Sequence, residues 1–116
     1  AVPHLEKTKG NIIIISSNLS TLIIPLLTVY SVTKAALDHL TRCLAVDLGS
    51  KGIRVNSVNP GYIPTNLGRD AGDHADKIGQ VISKLEFEKQ SIRERPLSVT
   101  DIADVVAFLA SDAAAF

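Results

Sequence analysis

The sequence has no methionine and a single cysteine among its 116 residues, and aromatic residues make up only 4%. One cysteine cannot close an internal disulfide, so a disulfide framework is excluded. This fits a reducing compartment, and a cytoplasmic location is the expectation. Neither sign of charge is in excess: 12 basic and 12 acidic side chains give a formal net charge of zero. A nucleic-acid binder normally concentrates positive charge, so the neutral balance argues against that class. No apolar run approaches the about 20 residues of a membrane span. His4, His39 and His74 lie far apart and share no metal-ligand spacing with Cys43, so no metal site is expected. The chain opens at Ala1 without an initiator residue or a signal-peptide pattern. It stops at Phe116, just after the apolar run Val105–Ala110. The expectation is a piece of something longer; the alternative is a small domain that lost only its first residue.

What is present belongs to a globular protein: 46% hydrophobic and 21% charged residues. Residues 1–8 read as the end of a helix closed by Lys9-Gly10, a basic last turn followed by glycine. Asn11–Ser16 carries four consecutive isoleucines. A short β-branched run that is apolar on both faces reads as a buried parallel strand. Ser17–Thr28 is a Ser-, Thr- and Leu-rich loop with a bend at Pro25. Over residues 29–48, Ala36, Leu37, Leu40, Leu44 and Leu48 form the apolar stripe of a helix. Ile53–Asn59 reads as a second strand, closed by the turn residues Asn59-Pro60-Gly61. Strand, long helix and strand make a βαβ unit. Residues 69–95 hold six basic and six acidic residues, half of all charges. That segment is expected to be mostly solvated and mobile, with a helix over Asp76–Lys89. Thr100-Asp101 is expected to cap a last helix that carries Ile102, Val105, Val106 and Leu109. A two-stranded parallel sheet needs cover on both faces and edges, which again points to more chain or a partner.

Chemistry concentrates near the first strand's end. Tyr30 and Lys34 stand four residues apart, on one helix face. An ammonium beside a phenol favours the phenolate and can draw its pKa down from about 10. Such a tyrosine can act as general acid or base. Ser17 lies just past the isoleucine strand, 13 residues before Tyr30. Ligands of open α/β sheets bind beyond the carboxyl ends of the strands. A loop from that end to the helix start can place Ser17 beside Tyr30, where its hydroxyl can donate to a carbonyl oxygen as charge develops.

Three stretches then fall in order: Ile-Ile-Ile-Ile-Ser-Ser, Tyr30-Ser-Val-Thr-Lys34-Ala-Ala-Leu, and Arg54-Val-Asn-Ser-Val-Asn-Pro-Gly-Tyr-Ile-Pro-Thr65. Together they closely resemble the classical short-chain dehydrogenase/reductase family, and the resemblance runs over the whole chain. It implies a Rossmann-type doubly wound parallel sheet in three α/β/α layers, with the N-terminal half missing. Residues 1–116 would be the C-terminal portion of one NAD(P)-binding domain, and 66–95 its substrate lid. Tyr30 would be the catalytic acid/base. Lys34 would lower its pKa and bind the nicotinamide ribose, and Ser17 would orient and polarise the substrate oxygen. Pro60, Gly61, Ile63 and Thr65 match the stretch that cradles the nicotinamide end of the cofactor, NAD or NADP. The family's glycine-rich fingerprint, its tetrad asparagine and its final strand have no counterpart here. Ser20 stands where many members have glycine.

Other residues carry blander expectations. Ser16 is given a structural role, and Cys43 a buried one. His39 and Asp38 are helix neighbours that do not face each other. Asn56 and Asn59 satisfy backbone groups around the second strand, with a touch on the site open for Asn59. Arg69 and Asp70 are read as solvated, and Tyr62 as a substrate contact or a cover. The leading function is NAD(P)-dependent hydride transfer on a small carbonyl or alcohol substrate. A related enzyme using bound NAD for epimerisation or dehydration is a second reading. A truncated, non-catalytic product acting by association with intact subunits is the alternative from another class. A full-length protein is expected to form a homo-oligomer, a dimer or tetramer.

Overall fold

A computed structural model describes residues 1–65, 75–89, 91 and 94–115. They fall into two units, residues 1–60 with 102–116, and residues 61–101. In the first unit, helix α1 (Val2–Thr8) carries Pro3 in its first turn, where the fixed φ suits a helix and the missing N–H is not needed. Lys9, not Gly10, takes the left-handed conformation that closes it, at φ 50°, and donates its N–H to Leu5 O. Gly10 serves close approach instead: a Cβ there would lie 2.9 Å from Leu5 Cδ2.

Strand β1 (Asn11–Ile15) pairs in parallel with β2 (Arg54–Val58), in register from Asn11↔Arg54 to Ile15↔Val58. Helix α2 (Thr28–Gly49) makes the crossover. The expected βαβ unit is therefore present, with boundaries shifted by a residue or two. Leu48, Ile53 and Val55 form the buried core, covered by Val2, Leu5, Ile12, Leu44 and Ala45. The apolar stripe of α2 is buried at Leu48 but opens outward toward its N-terminus, where Leu40 and Ala36 are exposed. Cys43 is exposed too, against expectation, because it follows Leu40 by three residues and precedes Val46 by three on the outward face.

Helix α4 (Val99–Ala110) is capped by Ser98 and Asp101 acting as a pair, so the cap begins two residues before the expected Thr100. Asp101 Oδ2 accepts from Ser98 N at 2.8 Å and from Ser98 Oγ at 2.6 Å. Arg95 donates to the same carboxylate. These hydrogen bonds, Arg95's first, then Ser98's, hold the Asp101 carboxyl far below the usual carboxylate range. At its other end, α4 leaves carbonyls that no helix turn can satisfy. Arg54 donates to Leu109 O at 2.9 Å and to Ser111 O at 3.3 Å, and Asn11 to Ala110 O at 3.3 Å. The two residues that open the strands thus cap α4.

In the second unit no described residue is buried. Helix α3 (Ala75–Lys89) matches the expected Asp76–Lys89 helix. Its Gly79 admits Tyr62, whose Oη would meet a Cβ there at 2.7 Å. Arg69, Asp70 and His74 lie outside the described residues, as does much of the expected lid.

Candidate active site

The site is assembled where β1 ends. Backbone pairing continues past both strands: Ser16 N donates to Val58 O at 2.8 Å, and Asn18 N to Pro60 O at 2.9 Å. Ser17, buried between these two rungs, caps a short 3-10 turn, Asn18–Ser20. Its Oγ accepts from Leu19 N at 3.2 Å and donates to Asn18 Oδ1 at 3.4 Å. The backbone contact is the stronger, so the lone pair is held while the O–H can turn to a better acceptor.

Tyr30 lies in the first turn of α2 and Lys34 one turn on, as their spacing requires. Lys34 Nζ is 5.5 Å from the centre of the Tyr30 ring and donates to Ile15 O at 2.9 Å. The last carbonyl of β1 thus fixes the cation against the phenol. Ser16 locks the same junction from the other side, its Oγ donating to Lys34 O at 3.1 Å. This is the structural role expected of it. The Tyr30 hydroxyl has no hydrogen-bond partner among the described residues.

Asp38 and Asn59 enter as residues that sequence reasoning underrates. Asn59 Nδ2 lies 2.9 Å from each Asp38 carboxylate oxygen, and 3.2 Å from both Ser17 O and Ser20 Oγ. Desolvation would raise the Asp38 pKa. Hydrogen bonds from Ser16, Ser20 and Asn59, helped by the charge of Arg42, outweigh it and hold the carboxyl below its ordinary value. The only sequence signal is that Asp38 stands one turn past Lys34 on the same face.

Pro60 is bound to the Ser17 segment through Asn18 N. Gly61 and Ile63 are half-buried and Thr65 is exposed, in irregular chain of the second unit. The donor set beside Ser17 suits a nicotinamide cofactor. Two of the three Lys34 N–H groups have no partner among the described residues, which fits a vicinal diol. A free phenol hydroxyl beside them fits a substrate oxygen. Among the described residues there is no cluster of three metal-ligating side chains, and no helix is long and apolar enough to cross a membrane.

Known proteins resemble this chain in sequence and fold. A family model described as enoyl-(acyl carrier protein) reductase matches residues 1–116. L-xylulose reductase of Caenorhabditis elegans is 40% identical over 107 residues, covering 92% of this chain and 40% of the relative. A 7α-hydroxysteroid dehydrogenase complexed with NADH and 7-oxo glycochenodeoxycholic acid superposes with a TM-score of 0.79 at 34% identity, over 98% of this chain and 42% of the other. L-sorbose reductase of Gluconobacter frateurii, complexed with NADPH and L-sorbose, gives 0.77 at 30% identity, over 99% and 46%. The chain spans less than half the length of these relatives. Their shared frame is a Rossmann-type α/β fold, of which this chain forms part.

Proposed function

The chain belongs to the classical short-chain dehydrogenase/reductase family, and from that premise we propose that it carries the catalytic half of an NAD(P)-dependent oxidoreductase acting on a carbonyl or alcohol. Residues 1–116 are the C-terminal portion of one NAD(P)-binding domain, with 66–95 as the substrate lid. The observation that carries this reading is the anchored cation beside the phenol: Lys34 Nζ tied to Ile15 O at 2.9 Å and 5.5 Å from the Tyr30 ring.

Lys34, Tyr30, Pro60, Gly61, Ile63 and Thr65 hold the cofactor, NAD or NADP. Bound there, the nicotinamide supplies or accepts the hydride. In the reducing direction, Tyr30 gives its hydroxyl proton to the substrate oxygen as the carbonyl becomes an alcohol. In the oxidising direction the same oxygen takes the proton back. Lys34 stabilises negative charge on the phenol oxygen while the proton is away. Ser17 turns its O–H to the substrate oxygen and polarises it, its lone pair kept on Leu19 N. The full-length protein forms a homo-oligomer. The single cysteine of these 116 residues is exposed, which suits a reducing setting, the cytoplasm.

The test is Tyr30→Phe in the protein as its source makes it. Turnover of NAD(P)H against a carbonyl panel should fall at least about a hundredfold, the low end of a general acid's contribution. Nicotinamide binding, followed by fluorescence, should stay nearly intact. Unchanged turnover would remove Tyr30 from its role.

A further inference from the structure

We propose that Asn59, aimed by Asp38, is a positioning residue that sets the backbone of Ser17 for polarising the substrate oxygen. The proposal rests on the oxidoreductase reading above for its kinetic consequence, but not for its structural one.

One backbone donor is missing where the two strands end. Beyond the strand ends, the pairing runs from Ser16 N to Val58 O and from Asn18 N to Pro60 O. In a parallel ladder the rung between these two comes from the amide of residue 60. Residue 60 is proline and has no N–H. The rung that would have ended on Ser16 O is therefore absent, and the Asn59 side chain grips the next carbonyl instead, Ser17 O at 3.2 Å. It also reaches Ser20 Oγ at 3.2 Å, so one amide grips both ends of the turn that holds the serine.

Asp38 decides which way that amide faces. Both of its oxygens lie 2.9 Å from Nδ2. A flipped amide would set its own carbonyl oxygen against the carboxylate, acceptor against acceptor. The carboxylate takes one N–H and so keeps the other toward Ser17 O and Ser20 Oγ, which share it. Asp38 stands two turns from Tyr30 and one from Lys34 on α2. Asn59 therefore joins three parts through one group: the serine turn, the helix carrying the acid/base, and the Pro60 end of β2. The Ser17 hydroxyl takes its direction from this turn, because its lone pair is fixed on Leu19 N at 3.2 Å.

Two variants of the native protein test this: Asn59→Ala, and the exchanged pair Asp38→Asn with Asn59→Asp. In Asn59→Ala, amide hydrogen exchange at Asn18 and Leu19 should quicken about tenfold, as expected for one lost charge-linked contact. The ladder amides of β1 should be unchanged. Turnover should fall about tenfold at an unchanged KM for the cofactor. The exchanged pair separates positioning from simple stability. The amide now on α2 can donate to the carboxylate now at the end of β2, so the melting temperature should return toward the parent value. That carboxylate has no N–H to offer Ser17 O, so turnover should stay low. Recovery of turnover together with melting temperature would overturn the proposal, as would unchanged exchange at Leu19 in Asn59→Ala. If the parent protein reduces no carbonyl, the oxidoreductase reading fails, and the exchange measurement alone decides the fate of the Asn59 role.

Discussion

The connection between β1 and α2 has two halves of opposite character. In Ser16–Ser20, Ser16 and Ser17 are buried, and their hydroxyls and those of their neighbours are tied to β2, to α2 or to one another. In Thr21–Leu27 the chain turns apolar and outward: Ile23 is 92% exposed and Leu26 89%. Leu26 even sits at φ 72°, a left-handed conformation that a leucine enters only at a cost. The contrast teaches a division of labour. The half that carries Ser17 is fixed by hydrogen bonds, which hold a direction. The following half offers apolar surface, which has no direction and can mould to what it meets.

The largest expected effect falls on the fixed half. In the proposed reaction Ser17→Ala removes the O–H assigned to the substrate oxygen, and turnover should drop about a hundredfold or more. Its stability cost should be no more than about 1 kcal/mol, the loss of one short-turn cap. Ile23→Ser, in the apolar half, should leave turnover within a few-fold. Steady-state kinetics on both variants would break the comparison if the two losses were alike.

That division is only half legible in the sequence. The isoleucine run, the helix spacing and the Pro-Gly turn are local signals, and they place β1, α2, β2 and the Ser17, Tyr30 and Lys34 positions. What escapes depends on partners remote in the chain. Asp38 reads only as a helix neighbour that does not face His39, because its partner Asn59 lies 21 residues on and meets it only after the crossover closes. Cys43 reads as buried from its own helix, but nothing in the described fold covers that side. The end of α1 is obscured for a subtler reason: Gly10 advertises backbone freedom, while its actual use is to let Leu5 approach. Ser98 hides as a cap because its partner, Asp101, is itself a good capping residue.

Acid offers a milder way to sharpen the contrast. The Asp38 carboxyl is held below its ordinary value in the folded protein. Its contribution to stability is therefore present above the unfolded pKa of about 3.9 and is lost as pH falls through the lower folded value. Below about pH 4, the protection of Asn18 and Leu19 from exchange, taken against the intrinsic rate at each pH, should fall a few-fold in the parent protein. In Asp38→Asn that acid response should vanish. A response that survived the substitution would assign the acid sensitivity to another group.

The smallest effect concerns the strain in the apolar half. Leu26 is almost wholly exposed, so trimming it loses little burial. Glycine enters φ 72° freely but gives the unfolded chain more entropy, so the two terms nearly offset each other. Leu26→Gly should raise stability by roughly 0.5 kcal/mol, while Leu26→Val, β-branched and worse in that region, should lower it by about 1 kcal/mol. Thermal melts of the two variants read the sign directly. The kinetic consequence runs the other way. A strained leucine keeps the loop in one bend before substrate arrives, and glycine releases it, so Leu26→Gly should raise the substrate KM a few-fold at constant turnover. A variant that became more stable and bound substrate no worse would show that the bend is incidental, and that only the Ser16–Ser20 half is built for the reaction.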